Sequence, residues 1–243
     1  MALLEIQHLT KKFGGVTAND DINLTIEDQE SVGLIGPNGS GKTTLFNCIA
    51  GYYEPDSGTI RFKDIDITGL KPHQVTVLGI ARTFQIMKTL GGLSVLENTM
   101  IGSFCRTSNT KIARDKALDT LQAIGLVEYA EAYPEELPIA IQKRVALARA
   151  LATEPKLLLL DELAAGLNPK EVSDLMQLLR MIHGELGITL FVVEHVMAMV
   201  MELCDRIIVL DGGKKIVEGS PRVVAEDERV VKAYLGEDYY AES

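Results

Sequence analysis

The chain has 243 residues, 47% of them hydrophobic, which is enough for one large domain or two small ones with a full core. Acidic residues outnumber basic ones by 34 to 24, and the net charge of −10 argues against broad nonspecific binding to nucleic acid. Cys48, Cys105 and Cys204 lie far apart without metal-ligand spacing, which favours a reducing compartment. We expect neither a signal peptide nor a bilayer-spanning segment, which leaves peripheral membrane attachment open.

The first third of the chain predicts mainly strands. Apolar and polar residues alternate from Leu3 to Gln29, which predicts short antiparallel strands, and Gly58–Phe62 continues the pattern. The apolar run Ser31–Ile35 predicts a buried strand. The segment Thr44–Ala50 predicts a helix that ends at Gly51.

The segment between that strand and that helix fits the pattern G-x-x-x-x-G-K-[ST]. Its glycines let backbone N–H groups approach an anion closely, and the following helix points its positive end at the same place. Lys42 supplies a positive charge for the outer phosphates, and Thr43 supplies a hydroxyl for Mg²⁺. The sequence therefore predicts that a nucleoside triphosphate binds to Gly36, Pro37, Asn38, Gly39, Ser40, Gly41, Lys42, Thr43 and Thr44.

The rest of the chain alternates between helices and buried strands. Helical periodicity dominates from about Leu93 to Leu151, and three apolar runs then predict strands at Lys156–Leu160, Ile188–Val193 and Ile207–Leu210. A methionine-rich stretch between the last two runs predicts a helix with core methionines. This alternation indicates a mostly parallel sheet, with the middle helical stretch inserted into it.

Polar side chains follow several of these strands. Asp161 and Glu162 end the first of the three, where a carboxylate faces the ligand crevice of an open α/β sheet. Asp161 would hold Mg²⁺ through water, and Glu162 would polarise an attacking water. Gln85, at the end of a further predicted strand, is expected to reach the metal or the water, and His195 the terminal phosphate. The alternatives are a solvated acidic turn, a surface glutamine and a packed or exposed histidine.

These ordered motifs resemble the ATP-binding-cassette (ABC) ATPases over nearly the whole chain. The Walker A motif corresponds to Gly36–Thr44, the Q-loop to Gln85, Walker B to Leu157–Glu162, the D-loop to Ala165–Asn168 and the switch histidine to His195. The resemblance also assigns Phe13 to stacking on adenine, with a strand-buried phenylalanine as the alternative.

The resemblance implies an α/β fold of the P-loop NTPase class. We expect a single ABC ATPase domain over residues 1–243, with a RecA-like mostly parallel sheet core and an antiparallel β-subdomain. A helical subdomain is expected to be inserted at about 87–153.

A closer resemblance is to the LivG-type ATPases of branched-chain amino acid importers. It rests on Gly79–Gln85, Ala164–Pro169, Leu203–Ile207 and Ala233–Glu237. Such a family implies an ATPase that uses ATP and Mg²⁺, a second ABC ATPase subunit, a pair of integral membrane permeases and an extracytoplasmic substrate-binding protein, with no nucleic acid partner. It also implies peripheral attachment to the cytoplasmic face of the inner membrane.

The signature motif departs from the family pattern. Where the family carries L-S-G-G-Q, this chain has Leu137–Ile141. Pro138 has neither a hydroxyl nor an N–H, and Ile139 and Ala140 add bulk where glycine allows close approach. Because the family uses this tip to contact ATP on the opposite subunit, we expect a heterodimer with one strong and one weak ATP site, with a homodimer as the alternative.

Smaller departures are Asn168 and Val196, where Asp is usual, and Leu163, where Pro is usual and we expect a local backbone adjustment. Competing interpretations are an importer ATPase for another amino acid or amide, a regulatory cassette of DNA repair or translation, and a small-molecule kinase. The chain has no room for the coiled coils of repair cassettes. It contains one ATPase unit, whereas translation cassettes usually contain two, and it has no arginine-rich lid of the kind expected in a small-molecule kinase.

Overall fold

The computed structural model describes residues 2–83 and 90–235. The described strands are β1 (Ala2–Phe13), β2 (Val16–Glu27), β3 (Ser31–Ile35), β4 (Ser57–Phe62), β5 (Ile65–Asp66), β6 (Ile80–Arg82), β7 (Leu157–Asp161), β8 (Thr189–Val193), β9 (Arg206–Asp211) and β10 (Lys214–Gly219). The described helices are α1 (Lys42–Ile49), α2 (Pro72–Leu78), α3 (Val95–Ser103), α4 (Thr110–Ala123), α5 (Ile139–Leu151), α6 (Pro169–Gly184), α7 (Met197–Leu203), α8 (Pro221–Ala225) and α9 (Glu228–Leu235). The chain forms two compact units, Met1–Pro72 with Thr189–Ser243 and His73–Ile188.

The first unit contains an antiparallel sheet in the order β2-β1-β4-β5. The prediction of antiparallel strands is confirmed, but the predicted short strands are wrong in length, because β1 and β2 run for twelve residues each. Irregularities in their pairing, such as the one between Ile6 and Leu9, explain the difference. A bulge resets the alternation of side chains, so one long bent strand has the sequence pattern of several short ones.

The first unit also contains a mostly parallel sheet. β3 lies between β8 and β9 and is parallel to both, and β10 pairs antiparallel with β9 at the edge. All residues of β3 and β8 are buried. Phe46 of α1 packs on Phe191 of β8 with ring centroids 4.9 Å apart. This contact fixes α1 directly behind the loop that leaves β3, and the helix begins at Lys42 rather than at the predicted Thr44.

Two of the three cysteines are core residues. Cys48 and Cys204 are buried in the first unit. Burial raises the pKa of Cys48 to about 11 and that of Cys204 to about 12, so both thiols stay protonated and behave as small core residues. Met199 of the predicted methionine-rich helix is buried as well.

The second unit holds the helical stretch. α3, α4 and α5 pack on one another, and β6 pairs parallel with β7. Ser94 and Glu97 form a capping box at the start of α3, and Gly125 follows α4 with a φ of 66°. The predicted helical texture from Leu93 to Leu151 is confirmed, and the limits of 87–153 for an inserted subdomain stay a prediction. Across residues 2–83 and 90–235, no helix has the length and apolar character needed to cross a membrane.

Candidate functional site

The loop Gly36–Thr44 of the first unit, called the phosphate loop below, has backbone positions that only glycine can occupy. At Gly41, which has a φ of 101°, a Cβ would lie 2.2 Å from the carbonyl oxygen of Ala18. At Gly36 a Cβ would lie 2.1 Å from the carbonyl oxygen of Leu210. The fully buried Asn19 donates from Nδ2 to the carbonyl of Gly41 at 3.2 Å. The loop is therefore held tightly between neighbouring strands.

Positive charge is concentrated in this loop. The buried Lys42 donates from Nζ to the carbonyls of Gly36 (2.7 Å) and Pro37 (3.0 Å). Both of these acceptors are backbone carbonyls of the loop itself, so the ammonium is held beside the loop backbone. Among the described residues no side chain caps α1, and its first turn carries no acidic residue. The buried Oγ of Ser40 also lacks a hydrogen-bond partner in that part of the chain. A glycine-rich backbone, a helix N-terminus and an ammonium together suit a polyphosphate.

Phe13 lies at the end of β1 with an exposed ring. The ring is 44% accessible, which excludes the alternative of a strand-buried phenylalanine. Tyr53 meets it edge to face with centroids 5.2 Å apart, and Lys11 Nζ lies 5.5 Å from the ring centroid. An exposed aromatic surface held by a second ring is available for stacking on a base.

The acidic strand end belongs to the second unit. Asp161 closes β7, is 2% exposed, and accepts a hydrogen bond from Arg82 to Oδ2 at 2.7 Å. Its Oδ1 is buried and has no hydrogen-bond partner among residues 2–83 and 90–235. An orphaned carboxylate oxygen is the kind of ligand that Mg²⁺ takes, so Asp161 fits the predicted metal. The described residues hold no cluster of three His, Cys, Asp or Glu side chains, and Mg²⁺ commonly relies on one or two carboxylates plus phosphates and water.

The residue after Asp161 has an unusual backbone. Glu162 has a φ of 50°, in the left-handed region that residues other than glycine seldom adopt, and such strain is common at functional sites. Lys143 of α5 fastens the turn that follows, donating from Nζ to the carbonyls of Leu163 (2.7 Å) and Ala165 (2.6 Å). Leu163 itself is 2% exposed. The candidate base is thus presented by a strained and clamped turn.

The structure places the remaining predicted residues as follows. His195 is exposed and lies two residues beyond the end of β8, in the same unit as the phosphate loop. Val196 begins α7 without a side-chain cap from the described residues. Gln85 lies outside the described residues. Asn168 caps α6 in a capping box with Glu171, a task that Asp performs equally well.

The altered signature tip begins helix α5 as predicted. Pro138 is the N-cap residue, and no side chain of the described chain caps the helix. Ile139 follows it and is 48% exposed, and Gln142 donates from Nε2 to the carbonyl of Leu137 at 2.9 Å. The tip is therefore an apolar, solvent-facing helix start.

The family-model match decides the identity. Residues 19–165 match the model described as ABC transporter, and residues 214–240 match that described as branched-chain amino acid ATP-binding cassette transporter. The chain belongs to the ABC transporter family. The predicted activity is confirmed at this level: the chain is an ABC ATPase of the transport-coupled class.

Relatives and solved structures agree with this family. The chain is 38% identical over 250 residues to the high-affinity branched-chain amino acid transport ATP-binding protein LivG of Escherichia coli K12, covering 97% of this chain and 98% of that protein. A nucleotide-free ABC transporter cassette superposes with a TM-score of 0.89 at 31% identity, covering 98% of this chain and 100% of that one. A dimeric bacterial ABC cassette gives 0.80 at 30% identity, covering 90% and 99%. The predicted fold class is confirmed.

Sequence reasoning missed several residues of this ABC cassette. Asn19 sits in a polar stretch with no pattern that marks it as buried, and Arg82 was noticed only as a neighbour of Gln85. Lys143 lies in α5 after the altered signature tip, where no sequence pattern marks it as the donor that fastens the turn after Asp161. Tyr234 of α9 accepts a hydrogen bond at Oη from the backbone N–H of Gly36 at 2.8 Å, and no local signal announces that contact.

Proposed function

We propose that this chain is the ATP-binding and ATP-hydrolysing subunit of a membrane importer for branched-chain amino acids. The match of residues 214–240 to the branched-chain type carries the proposal, because the phosphate loop is common to all ABC cassettes. The full-length likeness to a branched-chain amino acid transport ATP-binding protein supports the same substrate class.

The loop Gly36–Thr44 would hold the phosphates of ATP. Its backbone amides and the start of α1 face an anion without competition from an acidic side chain of the first turn. Lys42 would exchange its two carbonyl acceptors for outer phosphate oxygens, which are ionised as well, so that both donor and acceptor carry charge. Phe13 would stack on the adenine, since its ring is already exposed.

Hydrolysis would use the strand-end residues. Asp161 through Oδ1, Thr43 through its hydroxyl and Gln85 through its amide would hold Mg²⁺, which when bound neutralises charge on the phosphate oxygens. Glu162 would accept the proton of the attacking water, and its left-handed backbone sets the direction in which the side chain leaves the turn. His195 would donate a hydrogen bond to the phosphoryl group being transferred.

The partner subunit would complete what this chain lacks. A cassette of the same fold forms a dimer, and the apolar tip Leu137–Ile141 offers a poor set of donors to a nucleotide held by a second subunit. We therefore favour a heterodimer with a second ABC ATPase, attached peripherally to permease subunits at the cytoplasmic face of the inner membrane. An extracytoplasmic binding protein would deliver the substrate.

Reconstitution of the complete transporter tests the proposal. ATP hydrolysis should rise when leucine, isoleucine or valine is added with the binding protein, and the Glu162→Gln complex should show no such rise. Stimulation only by another amino acid or an amide would refute the branched-chain assignment and favour the alternative importer. Hydrolysis that ignores every amino acid tested would count against transport coupling.

A further inference from the structure

A side chain of α9, the last helix in the described part of the chain, contacts the phosphate loop. Tyr234, in the last turn of α9, accepts a hydrogen bond from the N–H of Gly36, the first residue of the loop, at a sequence separation of 198 residues. Both residues belong to the first unit. The contact lies where β3 ends and the loop begins, so it acts on the direction in which the loop leaves the strand.

The segment that carries Tyr234 is firmly held. β10 pairs antiparallel with β9, and α8 packs against both strands through the buried Val224. Asp227 then fixes the start of α9, where its Oδ1 accepts the N–H of Arg229 at 2.8 Å and its Oδ2 pairs with the guanidinium at 2.8 Å. These hydrogen bonds lower the pKa of Asp227 to about 2, so the carboxylate stays ionised at neutral pH. Asp227 and Arg229 thus fix the start of α9 next to the β9–β10 pair.

Gly36 is gripped on both sides of its backbone. Its N–H is bonded to Tyr234, and its carbonyl accepts from Lys42 Nζ at 2.7 Å. When Lys42 turns to a phosphate, its bond to that carbonyl is lost. The bond to the tyrosine then remains to hold Gly36. Burial raises the pKa of Tyr234, so its hydroxyl stays protonated and accepts as a neutral group at physiological pH.

We propose that Tyr234 is a positioning residue for the phosphate loop, through which the C-terminal segment raises nucleotide affinity. The segment lies inside residues 214–240, the region that matches the branched-chain type of cassette. Tyr234 would therefore act on the loop from a region that the Walker motif does not include. The inference rests on the proposed role of Gly36–Thr44 in binding ATP.

Titration calorimetry of the full chain with MgATP and MgADP tests this inference. Tyr234→Phe removes only the hydroxyl and should raise the Kd of both nucleotides by about two- to tenfold, the range of one net hydrogen bond. Tyr234→Leu should add little to that change. Tyr133→Phe, at an exposed tyrosine of the second unit, is the matched control and should bind as the parent chain does. A purely structural role of Tyr234 would lower the binding stoichiometry and leave Kd unchanged.

The comparison variant Lys42→Met separates failure of the Tyr234 inference from failure of the proposed role of the loop in binding ATP. If it loses nucleotide binding while Tyr234→Phe keeps the parent Kd, the loop binds ATP but Tyr234 does not position it, and the inference is overturned. An effect of Tyr234→Leu without one of Tyr234→Phe also overturns it, because ring packing would then be responsible. If Lys42→Met binds nucleotide normally, the proposed function of the loop itself fails.

Discussion

In the loop Gly36–Thr44, two glycines occupy positions that leave no room for a Cβ, and the buried ammonium of Lys42 donates to the carbonyls of Gly36 and Pro37. At the tip Leu137–Ile141 a proline and an exposed isoleucine occupy the equivalent position at the start of another helix. Both helices, α1 and α5, begin without a side-chain cap from the described residues and without an acid in the first turn.

The two regions therefore share a helix dipole and differ in their donors. A helix N-terminus attracts an anion within its first turn by about 0.3–1 kcal/mol, whereas each charge-assisted hydrogen bond to the anion adds about 1.5–3 kcal/mol. We therefore expect the donors, and the room that glycine leaves for them, to decide which helix start holds a phosphate. In this chain the first region keeps them and the second has lost them.

The largest expected effect is at Glu162, in the part of the machinery that this chain keeps. Glu162→Gln removes the proposed base and should lower the ATP turnover of the complete transporter by roughly 10²- to 10⁴-fold while ATP stays bound. Single-turnover assays with labelled ATP measure both quantities. Glu128→Gln, at an exposed carboxylate of the second unit, is the control and should leave turnover unchanged. Sustained hydrolysis by the Glu162→Gln transporter would show that Glu162 is not the base.

The buried ion pair of Arg82 and Asp161 comes next. Arg82→Met strands a buried carboxylate and should lower the free energy of unfolding by about 3–5 kcal/mol, measured by urea denaturation. Arg114→Met breaks the exposed pair with Glu131 and should cost less than about 1 kcal/mol. Equal costs for the two substitutions would mean that the candidate magnesium ligand is not held by Arg82.

Restoring the family's signature residues at the tip Leu137–Ile141 tests the region that lacks donors. The combined change Pro138→Ser, Ile139→Gly, Ala140→Gly and Ile141→Gln restores a hydroxyl and two close amides. It should raise turnover at the partner's site by roughly tenfold to a hundredfold, the equivalent of one charge-assisted hydrogen bond. Serine is also a good N-cap, so α5 should remain folded. An unchanged rate in the complete transporter would show that this tip does not limit hydrolysis.

The smallest expected effect is at Asn168, whose side chain accepts the N–H of Glu171 at 3.0 Å. Asn168→Ala should cost about 1 kcal/mol of stability, since it removes an N-cap, whereas Asn168→Asp should retain the cap. Thermal unfolding of the two variants measures the difference. Equal destabilisation by both would show that residue 168 matters for a reason other than capping.

The phosphate loop was predictable because its chemistry needs fixed residue types next to one another. The buried strands were predictable because an apolar run of about five residues is shorter than a typical helix and fits a fully buried strand. Contacts across long sequence distances were not: Asn19 meets Gly41 over 22 residues, Arg82 meets Asp161 over 79, and Tyr234 meets Gly36 over 198. No local pattern encodes which polar side chain fills such a gap. The left-handed backbone of Glu162 was equally hidden, because the surrounding turn imposes it rather than the residue type.

The ATPase activity of the purified chain, measured as a function of ATP concentration and compared with the complete transporter, tests the central claim most directly. If this chain keeps one half of an ATPase site and depends on a partner for the other, the isolated chain should hydrolyse ATP slowly and without cooperativity. The transporter should be much faster per cassette. Cooperative hydrolysis by a homodimer of this chain, at the rate of the complete transporter, would contradict the account.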